Sequence, residues 1–265
     1  MKKLLGLLLL FLTSAALAGE GGFLFVTTRG QDSAMAEQVY FGLSKDGMQW
    51  EILNGGAPVL VNTLGEKGAR DPYLLRAEDG KFYVLATNLS IFASNRNWKR
   101  ALEAGGRSIV LWDSSDLVHW SEPRLVEVAP PDAGCAWAPE AIYDPSQRKY
   151  LVYWASTTKA DSFRKQRVWG AWTTDFQTFS EPFIYWERAG HVGDPDIVLG
   201  DDGKYYRFFR DGAANAIAME VSDSLTGQWQ AVLGFHWQTR RPQGALCAFC
   251  LRRRKTGNLQ RGACL

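Results

Sequence analysis

Three acidic residues stand beside prolines at the head of short apolar strands: Asp71-Pro72-Tyr73-Leu74-Leu75, Pro139-Glu140-Ala141-Ile142-Tyr143 and Asp194-Pro195-Asp196-Ile197-Val198. Carboxyl groups gathered in one cleft raise each other's pKa, because like charges in a poorly solvated site repel. Such a set suits glycosidic cleavage by inversion, where one carboxylate activates water and one carboxylic acid protonates the leaving oxygen. Asp-Pro is also a common way to open a turn, so one such pair carries little weight. Three at matched places in a repeat argue for a shared cleft. Glu140 follows Asp71 by 69 residues and Asp194 follows Glu140 by 54, so only a repeating architecture can bring them together.

That repetition is present as two interleaved units. The first is an alternating strand, then Ser/Thr-Asp-x-x-x-Trp/Phe. Its copies end in Asp46 and Trp50, Ser115-Asp116 and Trp120, and Thr174-Asp175 and Phe179, with a looser one from Ser222-Asp223 to Trp229. Each reads as a strand, a turn capped by the Asp, and an aromatic residue opening the next strand. The second unit is the proline-flanked acid with its apolar strand, a turn, and an aromatic strand such as Phe82-Tyr83-Val84-Leu85. Together they supply about four strands every 50 to 70 residues, the content of one propeller blade. Only Trp98 to Ala104 reads as a helical turn. A β-sandwich is the competing all-β fold, but it does not require two interleaved motifs at this period.

Met1-Lys2-Lys3, the apolar run Leu4 to Leu12 and Ala16-Leu17-Ala18 have the three parts of a secretory signal, so residues 1–18 are expected to be removed on export. A β-propeller domain is then expected over 19–235, and an off-pattern basic tail over 236–265. The tail holds seven Arg and Lys and no acid; with those and the two leader lysines set aside, 21 basic residues face 28 acidic ones. An acidic body argues against nucleic acid as a partner. No span long enough to hold the mature chain in a membrane is expected. Eleven Trp suit a β core and equally suit stacking on sugar rings. Cys247-x-x-Cys250 has zinc-knuckle spacing but no second ligand pair, and Cys135 alone lies in the body, so neither a metal nor a disulfide framework is expected.

These residues resemble glycoside hydrolase family 43 over roughly residues 23 to 233. The resemblance rests on Gly68-Ala69-Arg70-Asp71-Pro72, on Ala133-Gly134-Cys135-Ala136-Trp137-Ala138-Pro139-Glu140, and on His191-Val192-Gly193-Asp194-Pro195-Asp196. It implies an inverting five-bladed β-propeller acting on arabinose-, xylose- or sometimes galactose-containing glycans, with no cofactor beyond a structural calcium near the axis in some relatives. Carried over by motif, Asp71 is similar to the general base, and Asp194 to the aspartate that orients the acid and raises its pKa, with Asp196 as the alternative. Glu140 and Arg70 are implied as substrate contacts, Trp137 and Trp154 as subsite walls, and His191 as a residue facing the axis near the ion. A fructosidase-type propeller is a second enzyme reading, since Arg70-Asp71-Pro72 also resembles a motif there, although its N-terminal nucleophile segment is not apparent. A non-catalytic carbohydrate-binding propeller is the reading from another class.

The resemblance also implies a catalytic acid in a Glu-Gly-Pro segment a little after Trp229, yet the chain has no Glu beyond Glu220. The strand pattern stops near Leu233, so the fourth blade is expected to be partial and the fifth largely missing, leaving the strands of Phe23 to Trp50 without partners. A one-base shift would account for these features together, the alternative being a genuine basic tail that binds an anionic polymer: Gln238-Thr239-Arg240-Arg241-Pro242 can be encoded so that the next frame reads Lys-Leu-Glu-Gly-Pro. Sequencing the gene across codons 228–265 is expected to reveal that frame; an open frame without Glu-Gly-Pro overturns the shift.

Overall fold

The computed structural model describes residues 22–235 and, as backbone, two further strands at 248–253 and 259–262. The leader, Gln238 to Pro242 and Cys247 lie outside the described residues. Of Cys250 only the backbone is described.

Apolar, β-branched and aromatic residues recur along short runs bounded by Asp, Gly and Ser turns, and these runs form strands. The first sheet holds β1 (Phe23–Thr27), β2 (Tyr40–Ser44) and β3 (Glu51–Ile52), joined by β16 (Ala248–Arg253) and β17 (Leu259–Gly262) in the order β17-β16-β1-β2-β3. The second holds β4 (Arg70–Arg76), β5 (Phe82–Thr87), β6 (Ser108–Ser114) and β7 (Arg124–Glu127). The third holds β8 (Trp137–Asp144), β9 (Lys149–Ser156), β10 (Arg167–Thr173) and β11 (Phe183–Trp186), and the fourth β12 (Val192–Leu199), β13 (Tyr205–Asp211), β14 (Ala216–Ser222) and β15 (Gln230–Ala231). Neighbouring strands pair antiparallel throughout. One short helix, α1 (Trp98–Glu103), is capped by Asn97, whose side-chain oxygen accepts the Arg100 amide at 2.9 Å.

This is an all-β propeller architecture with two corrections. Among the described residues there are four sheets and not five blades, which the expected loss of most of the fifth accounts for in part, and the fourth sheet has all four strands where a partial one was expected. Nor do the N-terminal strands lack partners: β1 pairs with β16 at Leu24↔Phe249 and Phe25↔Ala248. The two ends of the chain share one sheet, a long-range pairing that residue periodicity does not encode.

Each sheet packs on its neighbour, and the core lies between them. Sheets one and two enclose Val39, Phe41, Leu74, Val84 and Trp112. Sheets two and three enclose Tyr73, Leu85, Leu111, Val152 and Trp154. Sheets three and four enclose Leu151, Tyr153, Ile197 and Phe209. Side chains alternate across a strand, so β5, buried along its whole length, sends Val84 one way and Tyr83 and Leu85 the other. The strands β4, β8 and β12 lie side by side.

The turn units follow a common plan. The Oδ1 of Asp46 accepts the amides of Met48 and Gln49, that of Asp116 those of Val118 and His119, and that of Asp175 those of Gln177 and Thr178. The hydroxyl completing each turn comes two residues before the Asp, from Ser44, Ser114 and Thr173. The Tyr73 hydroxyl donates to the Ala141 carbonyl at 2.8 Å and ties β4 to β8 within the core. Tyr73→Phe is expected to cost about 1 kcal/mol, the usual worth of one buried hydrogen bond, as measured by urea denaturation.

Candidate active site

The strands β4, β8 and β12 each carry the same irregularity. Between Arg70↔Thr87 and Tyr73↔Leu85, β4 advances three residues while β5 advances two; Trp137↔Ala155 and Glu140↔Tyr153 repeat this, as do Gly193↔Arg210 and Asp196↔Phe208. Each is a β-bulge, which breaks the ladder and re-aims a side chain. The second residue of each bulge is Pro72, Pro139 or Pro195, and a residue without an N–H suits a gap in the ladder. The residue before it is left-handed each time: Asp71 at φ +48°, Ala138 at +46° and Asp194 at +49°. Such backbone is strained for an L side chain and is held only when its surroundings dictate it.

The bulge changes the predicted ring of acids. Asp71 and Asp194 are equivalent, but their counterpart in the third sheet is Ala138, not Glu140, because Glu140 follows its proline where the aspartates precede theirs. Glu140 aligns with Tyr73 and Asp196. It is buried at 4% exposure and accepts the Tyr153 hydroxyl at 2.8 Å, whose oxygen in turn accepts the Ile197 amide at 3.0 Å. Asp194, rather than the alternative Asp196, occupies the position that matches Asp71.

Asp71 is half-buried. Burial pushes its carboxyl up to about 6; the Arg70 guanidinium and the Thr87 hydroxyl oppose this, while the charge of Asp194 adds to it. The two carboxylates are thus near enough for the charge of Asp194 to bear on Asp71. Asp194 itself receives Arg210 Nε at 3.3 Å. A Cβ at position 193 would lie 2.8 Å from the Arg210 guanidinium, so Gly193 leaves room for that side chain. At position 68 a Cβ would meet the Leu89 carbonyl at 2.0 Å, so only glycine lets the segment entering β4 pass so close.

Arg70 is anchored by Glu37, a residue no motif singles out. Glu37 is 0% exposed and accepts from Arg70 Nη1 at 2.9 Å, Ser90 Oγ at 2.6 Å, the Ile91 amide at 2.9 Å and the Phe92 amide at 3.2 Å. These donors compensate a charge that burial alone would make costly. Arg70 also lies over the Trp98 ring at 5.6 Å, and Trp98 meets Trp137 edge-on with centroids 6.0 Å apart. Trp98 is 41% exposed, so Arg70, Trp98 and the half-buried Trp137 form a partly open wall that begins at the residue before Asp71.

Trp154 is no wall. It is 0% exposed and lies in the core between sheets two and three, because it faces the bulge of β8 from the second strand. His191 is exposed, and its Nδ1 accepts the Gln166 amide at 3.2 Å. Among the described residues no three His, Cys, Asp or Glu side chains gather as a metal site, and burial pushes the Cys135 thiol up to about 11. None of the helices among these residues is long and apolar enough to cross a membrane.

A family model related to glycosyl hydrolase family 43, described as a "Probable glycosyl hydrolase domain", matches residues 20–246. The chain belongs to this glycosyl hydrolase family. It is 28% identical over 221 residues to an α-L-arabinofuranosidase of Bifidobacterium longum, covering 76% of this chain and 20% of that protein. The chain thus spans about a fifth of the length of that relative. Its fold is similar to an exo-β-1,3-galactanase of Clostridium thermocellum at TM-score 0.55 and 16% identity, covering 81% of this chain and 46% of that one. It is also similar to an N-acetylgalactosamine deacetylase from F. plautii at TM-score 0.59 and 14% identity, covering 83% and 66%. The chain is a glycosidase by lineage.

Asp71 binds a proton more tightly folded than unfolded, so between about pH 4 and 6 stability falls as pH rises. Asp71→Asn removes this term. The variant is expected to be more stable than wild type at pH 7, by roughly 1 kcal/mol after screening, with the difference gone below pH 4 in thermal melts.

Proposed function

We propose that this chain is an exported hydrolase of O-glycosidic bonds in arabinose- or xylose-containing glycans, working by single displacement with inversion. Asp71 is the general base. The observation carrying this reading is a half-buried carboxyl on the strained bulge of β4, hydrogen-bonded to Thr87, with burial and the charge of Asp194 pushing its pKa up to about 6. Such a group is ionised at neutral pH yet basic enough to take a proton from water. Asp194, held by Arg210, is the second aspartate, which orients the acid and raises its pKa. Arg70 and Trp137 contact the sugar, and the arabinofuranosidase relative supports the pentose assignment.

The catalytic acid belongs to the Glu-Gly-Pro segment that the shifted frame would encode. No Glu follows Glu220 in the chain as written, and this favours a second reading, a propeller that binds glycans without cleaving them. Substrates with a leaving group that needs no protonation separate the two, because they ask only for the base.

On 2,4-dinitrophenyl α-L-arabinofuranoside and β-D-xyloside, wild type is expected to turn over with an acid limb near pH 6, activity falling as Asp71 is protonated. Asp71→Asn is expected to lose at least about a hundredfold, the scale of a missing general base. Turnover indifferent to Asp71→Asn overturns the assignment, and binding without turnover in both proteins establishes the binding module.

A further inference from the structure

The bulges have a second regular feature. Across from the residue preceding each bulge stands one residue of the next strand: Thr87 opposite Arg70, Ala155 opposite Trp137 and Arg210 opposite Gly193. In the third sheet the bulge residue Ala138 and this partner are both alanine. In the other two the bulge residue is an aspartate, and the partner reaches its carboxylate. Arg210 brings a charge to Asp194 at 3.3 Å; Thr87 brings a neutral hydroxyl to Asp71 at 3.2 Å. Equivalent backbone positions therefore hold the two acids by different chemistry.

The direction of the Thr87 contact follows from its second bond. Thr87 Oγ1 accepts the backbone N–H of Ala138, from the third sheet, at 2.8 Å. An oxygen engaged as acceptor there is left with its own proton to donate, and an ionised carboxylate can only accept. Thr87 is 1% exposed, so water does not compete for that proton. The amide, hydroxyl and carboxylate form a chain running from the strained residue of one sheet to the strained residue of the next.

We propose that Thr87 is a positioning residue for Asp71, taking the Ala138 amide so that its proton fixes Asp71 Oδ2 and leaves Oδ1 for the attacking water. The positioning stands on the hydrogen-bond chain alone; its catalytic consequence rests on the reading of Asp71 as general base. The charged groups acting on Asp71 are Arg70 from its own strand and Asp194 from β12, while β5 contributes only the Thr87 hydroxyl and β8 the amide that orients it. A hydroxyl donating to the ionised form favours that form, so its removal must raise the pH at which Asp71 titrates.

The test is the titration of Asp71 in protein carrying carbon-13 carboxyl aspartate, with Asp71→Asn assigning the resonance. Thr87→Val keeps the shape and removes the hydroxyl, and is expected to move the midpoint upward by about one pH unit, as for loss of one hydrogen bond to a charged acceptor. Thr87→Ser, which keeps the hydroxyl, is expected to stay near wild type. An unmoved midpoint in Thr87→Val overturns the proposal. So does a freely exchanging Ala138 amide in wild type by nitrogen-15 NMR, a measurement that stands even where the valine variant does not fold. With the dinitrophenyl glycosides, Thr87→Val is expected to lower kcat with KM unchanged and move the acid limb upward, and Thr87→Ser to restore both. A midpoint that moves in Thr87→Val, in a protein whose wild type shows no turnover, upholds the positioning and overturns the general-base reading instead.

Discussion

The extra residue that β4, β8 and β12 each insert against their neighbours is the constraint on which the site depends. A bulge leaves one position unpaired and bends the strand, and here that position always precedes a proline. Proline brings no N–H of its own to the gap, and in β8 the amide of the residue before it is taken by the Thr87 hydroxyl oxygen. The residue before it is forced into the left-handed region, at a cost of about 1–3 kcal/mol each time. Burial on both faces of the second sheet and close packing between the successive sheets offset that cost. The strain is present at Ala138 as well as at Asp71 and Asp194, so it belongs to the architecture. Two of the three strained positions carry an acid, and the charge of Asp194 bears on Asp71.

The electrostatics of the cleft are then a matter of who stands beside each acid. Asp71 has burial and Asp194 raising its pKa, with Arg70 and Thr87 acting against them. Arg70 is kept in place by a carboxylate deeper in the protein, Glu37, whose four donors come from Arg70 and from the loop after β5. That loop follows directly on Thr87. The support for Asp71 is thus assembled from the segment before β2, from the head of β4 and from the end of β5, and α1 adds Trp98 over Arg70. A change at Glu37 or in the loop after β5 reaches Asp71 through Arg70.

Membership of a glycosyl hydrolase family and a propeller scaffold do not by themselves select a reaction. Function lives in the side chains grafted onto the scaffold. Here these are two half-buried aspartates with different partners, one given a hydroxyl by Thr87 and the other bound to an arginine.

Much of this was legible in the sequence wherever the cause is local. Asp-Pro at the head of an apolar run reports on two adjacent residues, and Asp71 and Asp194 were recognisable from it; the Asp-capped turns were readable for the same reason, although their hydroxyl lay one position earlier than the motif suggested. Glu140 was misplaced because a bulge adds one residue that alternation does not count, and a shift of that kind sends a side chain into the core. Trp154 went with it, buried opposite the same bulge. Glu37, Thr87, Trp98 and Arg210 had no signature, since each acts on a residue 16 to 39 positions away in the chain. The pairing of β1 with β16 was beyond reach for the same reason. By itself the sequence determined the strands, their turns and two of the acids, because those obey neighbouring residues; the tertiary structure decided which acids meet and what holds them, because that depends on pairings between sheets.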